Sequence, residues 1–127
     1  MAHTINYNPE IQLIEIKVEG SVDFHEMKEI FAQAVRIAIE KDTFLFLSDF
    51  RDAIIHLSVS EIYDLPQTLS NTTLPMGVNA NLLKRAIVYS PKTFGDSHFA
   101  ENVAANQGQI AQFFQDVDEA IQWLSEK

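Results

Sequence analysis

The sequence predicts a single α/β domain spanning residues 1–127, with a mixed, mainly parallel sheet of about five strands, an antiparallel N-terminal edge and helices wound around it. Three observations predict it. Residues 85–124 alternate strand and helix signals twice. Residues 44–47 (FLFL) are continuously apolar, as in a central strand covered on both faces. Residues 24–38 carry a helical apolar stripe long enough to bridge two parallel strands.

Taken in order, residues 3–8 pair with residues 11–19 around Asn8, Pro9 and Glu10, because Ile11, Leu13, Ile16 and Val18 nearly alternate with polar neighbours. Ser21 or Asp23 caps the first helix, where Phe24, Met27, Phe31, Ala34, Val35 and Ala38 recur at i, i+3, i+4 and leave Glu26, Lys28, Glu29 and Arg36 outward. The apolar strand at 44–47 runs into the polar segment Ser48, Asp49, Phe50, Arg51, Asp52. Ser58 and Glu61 make a capping box for a second helix with Ile62, Leu65 and Leu69 on one face, and Pro66, which lacks an N–H, predicts a break in it. Residues 70–81 mix Asn, Thr, Pro and Gly with Leu74, Met76 and Val78 and read as an ordered loop.

The C-terminal third carries the strongest local signals. Residues 85–90 (RAIVYS) are of strand type. Asp96 and Ser97 then open a helical segment with Phe99, Val103 and Ala104, closed by Gly108. Residues 109–114 (QIAQFF) form the next strand, and Asp116 and Glu119 form a capping box before Ala120, Ile121 and Leu124. In this closing helix Trp123 and Leu124 are expected to fold back over the sheet.

The ending at 114–124 (FQDVDEAIQWL), after a strand such as Ala86 to Tyr89, resembles the SpoIIAA-like superfamily, which includes STAS domains and related small bacterial proteins. The resemblance extends over nearly the whole chain, with 7–18 as the opening hairpin, 23–40 as the first long helix and 44–50 as the third strand. It implies a SpoIIAA-like βα superhelix and a non-enzymatic regulatory or protein-interaction module. The resembled anti-sigma-factor antagonists carry a phosphorylatable serine where this chain has Ser58 and Ser60, but the family's Asp-Ser-Ser-Gly type of motif is absent here. The residues themselves favour an N-cap role for Ser58.

Composition narrows the function classes. A net charge of −9 argues against nucleic acid and anionic membrane surfaces as partners, and no apolar run approaches the ~20 residues of a membrane span. Without cysteine there is no disulfide or thiolate chemistry, and cytoplasm is the expected location. With Gly20, Gly77, Gly95 and Gly108 as its glycines the chain has no phosphate loop or dinucleotide fingerprint, so no cofactor is expected. His3, His25, His56 and His98 match no zinc spacing, so no metal is expected either.

Ligands of open α/β sheets sit beyond the C-terminal ends of parallel strands. The polar candidates for a protein or small-molecule partner collect at that rim: Asp49, Arg51 and Asp52 after the third strand, Lys92, Thr93 and Phe94 after the fourth, and Ser58, Ser60 and His98 at helix starts. A pairing of Asp49 or Asp52 with Arg51 that pins a turn is the competing structural reading. Two alternatives stand beside the interaction module. One is a binder of a small apolar or lipid-like ligand, since lipid-binding CRAL-TRIO domains share this kind of fold, with Leu74, Met76, Val78, Leu82 and Phe94 along the cleft or a homodimer interface. The other is a small hydrolase or isomerase using His98 with the 49–52 rim.

Overall fold

The computed structural model describes residues 2–91 and 108–126. Strand β1 (Ala2–Asn8) and strand β2 (Leu13–Val22) form the antiparallel hairpin, with Asn8 opposite Leu13 at its tip. Gln12 turns the chain there with φ at 54°, and the buried Thr43 hydroxyl donates to its carbonyl at 2.7 Å. Helix α1 (Phe24–Lys41) is capped by Asp23, whose carboxylate accepts the Glu26 N–H, and it leads to β3 (Leu45–Ile55). Helix α2 (Val59–Thr73) leads to β4 (Lys84–Val88), followed by β5 (Ile110–Phe114) and helix α3 (Val117–Ser125). The strands lie in the order β1-β2-β3-β4-β5, and every pair after the first is parallel. The helical segment read at 96–107 lies outside the described residues.

Both faces of the sheet carry a core, which explains why β4 is apolar at Ala86, Ile87 and Val88 in succession while β2 alternates beyond Leu13. Ile14, Ile16, Phe46, Phe50 and Ile87 face α1 and α2 in the larger core. Leu13, Leu47, Ala86 and Val88 point the other way and pack with Ala120 and Leu124 of α3. Trp123 is half-buried against this second cluster, its ring 5.7 Å from that of Phe114. Lys84 donates to the Trp123 and Glu126 carbonyls at 2.6 and 3.0 Å and lies over the indole, so a cation satisfies the C-terminal end of α3.

Three elements differ from expectation. The polar segment 48–52 is strand, because β3 continues to Ile55 beside β2. The register slips between Lys17 opposite Asp49 and Glu19 opposite Asp52, so β3 holds one extra residue there. That bulge reverses the alternation, which is why Phe50 and Ala53 both enter the same core. Second, α2 does not break at Pro66. It runs on to Thr73, held by Leu69 in the core and by a hydrogen bond from Gln109 Nε2 to the Pro66 carbonyl at 2.6 Å, contacts that offset an interior proline's cost of roughly 3 kcal/mol. Third, the loop read at 70–81 is the end of α2 followed by two short 3₁₀ turns, Leu74–Met76 and Ala80–Leu82.

Candidate functional site

Small side chains from opposing elements leave a gap in the larger core. Ala34 on α1, Ser48 on β3 and Ala111 on β5 line a cavity of about 90 Å³ between the sheet and the two helices. Ile30 and Val35 of α1, Leu65 and Leu69 of α2, and Phe46 and Phe113 of the sheet complete an apolar wall. Protein interiors are normally close-packed. A void of this volume costs about 2 kcal/mol at the usual 24 cal/mol per Å³, and a ligand that fills it recovers that loss.

Among the described residues, one charged side chain lines this wall. Arg85 lies on β4 between Phe46 of β3 and Ala111 of β5, and the two-residue period puts it on the same face as Ile87. Its Nη2 donates to Gln109 Oε1 at 2.9 Å, and its Nε is buried with no hydrogen-bond partner. Arg85 as a residue is half-buried, so the sealed Nε is the informative atom. Burial pushes the guanidinium pKa down to about 10, with no carboxylate opposing the shift, and the group remains cationic at neutral pH. Gln109 itself is buried. Its amide nitrogen donates to the Pro66 carbonyl and, at 3.3 Å, to Ser70 Oγ. Gly108 prepares this placement with φ at 77°, and a Cβ there would lie 3.2 Å from Asn81 Nδ2.

The rim looks different. Arg51 Nε and Nη2 bind the two Asp49 carboxylate oxygens at 3.0 and 2.8 Å, and the Arg51 N–H adds a third contact at 3.1 Å. Lys17 reaches Asp52 at 3.2 Å and Asp49 at 3.5 Å, a convergence that the bulge in β3 allows. Burial raises the Asp49 pKa, but bonding to Arg51 and the charges of Arg51 and Lys17 outweigh it and hold the carboxyl below its usual range. The hydrogen bond and charge of Asp49 raise Arg51, and the Asp52 hydrogen bond and the charge of Asp49 raise Lys17. These groups neutralise one another.

Ser58 is the α2 N-cap: its Oγ accepts the Glu61 N–H at 3.2 Å, and its own N–H donates to Glu61 Oε1 at 2.8 Å. Ser60 stands 3.2 Å from Ser58, oxygen to oxygen. Lys92, Thr93, Phe94 and His98 lie outside the described residues. In the apolar segment, Met76 and Val78 pack against the larger core while Leu74 and Leu82 are 66% and 60% exposed; none of the four lines the cavity. His3, His25 and His56 bond separately to Gln33, Glu29 and Ser21, and no metal-holding cluster occurs among the described residues. Nor is any helix among them long and apolar enough to cross a membrane.

Arg85 and Gln109 escape a motif-based reading because they stand at strand starts and match no signature. The available signal was periodicity: an arginine in phase with Ile87 in a two-sided strand must enter a core.

No protein-family model and no curated protein matches the sequence. Solved structures do. An uncharacterised DUF3478-family protein with a SpoIIAA-like fold from Shewanella loihica PV-4 is 19% identical, superposes with a TM-score of 0.56, and the match covers 97% of this chain and 92% of that one. This chain has a SpoIIAA-like fold. The anti-sigma factor antagonist SpoIIAA, in its unphosphorylated form, matches at 13% identity and a TM-score of 0.53 over 97% of both chains. The SpoIIAA-like frame accounts for the mixed sheet and the antiparallel edge; at these identities it carries the fold alone.

Proposed function

We propose that this protein is a non-enzymatic, STAS-like regulatory module that takes a small, mainly apolar ligand into the cavity between α1, α2 and the sheet. The carrying observation is the cavity, an apolar wall interrupted by Ser48 and Arg85, the arrangement expected of a small-molecule pocket. Binding there bears on α1 and α2, which line the cavity, and α2 starts at Ser58 of the rim, so ligand occupancy is linked to the surface a partner would meet. The solved anti-sigma factor antagonist supports the regulatory part by analogy of fold.

The test is a cavity-filling variant. Ala34→Leu is expected to abolish the thermal stabilisation that 1-butanol gives the wild type, with the circular dichroism spectrum unchanged. Absence of any alcohol-induced shift in the wild type would reject a ligand cavity.

A second reading keeps the rim as a protein-docking surface, with Asp49, Arg51, Asp52, Ser58, Ser60, Lys92, Thr93, Phe94 and His98 as its residues. It is favoured by the meeting of β3 and β4 at that end, where Ser90 Oγ donates to the Arg51 carbonyl at 3.2 Å. Leu74, Met76, Val78 and Leu82 would then serve a homodimer interface, which native mass spectrometry reports as subunit number. Loss of pull-down partners in an Arg51→Ala, Lys92→Ala variant that still folds supports the rim, and equal capture by both proteins removes it.

A further inference from the structure

We propose that Arg85, with Gln109 beside it, is the head-group receptor of this cavity, and that the ligand is a monocarboxylate carrying a short alkyl chain. The inference rests on the cavity reading and adds the chemical class of the ligand.

Three observations carry it. The first is the missing counter-charge. Arg51 and Lys17 have carboxylates within 3.5 Å, whereas among the described residues Arg85 bonds to a neutral amide. A buried cation with no anion is held at a considerable desolvation cost, so an incoming anion gains most at this position.

The second is the shape of the donor set. Arginine recognises a carboxylate through paired N–H groups, and Arg51 shows that contact on Asp49 through Nε and Nη2. In Arg85, Gln109 takes a bond from Nη2 while Nε, sealed from solvent, has no partner. Gln109 cannot swing away freely, because its amide nitrogen is tied to Pro66 and Ser70 of α2. The guanidinium is thus positioned before any ligand arrives, and the ordering cost of binding falls accordingly.

The third is what surrounds the charge. Ile30, Leu69 and Phe113 line the same cavity as Arg85, so an anionic head at Arg85 places its tail against apolar wall. A volume of about 90 Å³ suits a short chain and excludes a nucleotide or a sugar. A single guanidinium matches one negative charge better than the two of a phosphate monoester, whose second charge would be buried unpaired.

The experiment compares butanoate, 1-butanol and butylamine by isothermal titration calorimetry on the full chain, in the wild type and in Arg85→Met. Wild-type protein is expected to bind butanoate at least tenfold more tightly than butanol and butylamine more weakly than both. In Arg85→Met the preference for butanoate over butanol disappears. Equal wild-type affinity for butanoate and butanol, or a preference that survives in Arg85→Met, overturns the head-group assignment and leaves the cavity reading standing. Failure of all three probes in the wild type overturns both. A second measurement needs no variant: the carboxyl of bound [1-¹³C]butanoate is expected to titrate below that of the free acid, and a value at or above the free acid overturns the assignment.

Discussion

Arg51 and Arg85 lie on adjacent strands and meet opposite surroundings. Arg51 is 43% exposed in its side chain and is matched by Asp49 two residues earlier on the same strand. Arg85 is half-buried with its Nε sealed from solvent, and its bond goes to an amide 24 residues away. The contrast teaches that a surface charge can be answered by its own sequence neighbours. A buried charge is answered only by what the fold delivers, and here the fold delivers an amide oxygen and leaves one buried N–H without a partner.

The largest test inverts the buried charge. Arg85→Glu places a carboxylate against the apolar wall with no cation near it, and the expected loss is about 3 kcal/mol or more in urea unfolding at pH 7. Burial raises the folded-state pKa of that new carboxyl, so the penalty appears as pH rises above its unfolded value and fades in acid. A midpoint equal to the wild type would show that the Arg85 environment is wet and polar, and the contrast with Arg51 would collapse.

Lys84 supplies an intermediate case, a cation satisfied by carbonyls and an indole face. Trp123→Ala removes a half-buried ring from the α3 cluster together with that face, and about 2 kcal/mol is expected, read from the denaturation midpoint. An unchanged midpoint would place the indole outside the core.

At the rim the effects shrink. Asp49→Asn is expected to lose about 1 kcal/mol at pH 7, since the carboxylate is the shared partner of Arg51 and Lys17 near solvent. Its folded pKa is depressed, so the wild-type advantage is present above the unfolded carboxyl value near 3.9 and is lost as pH falls through the lower folded value. Unfolding curves of the two proteins should therefore converge in acid; a difference that persists below that window points to packing instead. Arg51→Ala is the smallest, about 0.5 kcal/mol and reduced by salt, and a loss above ~2 kcal/mol would make the rim a structural centre.

Much of this fold is legible along the chain because its signals are local. Ser58 and Asp116 read as caps and are caps, and of the two candidates Ser21 and Asp23 it is Asp23 that caps α1, since a cap satisfies N–H groups two or three residues away. The FLFL run, the strand at 86–89 and the 110–114 strand read as parallel neighbours because their crossovers are too long for hairpins, and they pair so, with β4 ending at Val88. Pro66 misleads because its penalty is local while the contacts that outweigh it come from Leu69 and Gln109 across the fold. The segment 48–52 misleads because a strand that carries a bulge and runs to a polar end shows no simple period.

By itself, then, the sequence determined the kinds of elements, their order, the parallel sheet and the apolar stripes, all of which follow from backbone periodicity and nearest-neighbour chemistry. Only the tertiary structure decided that Asp49 and Asp52 converge on Lys17, that Gln109 bridges Arg85 to α2, and that Ala34, Ser48 and Ala111 face one another across a gap. The physical reason is separation along the chain. Register and helix placement set which distant side chains meet, and a cavity is a property of several such meetings at once, so no window of sequence contains it.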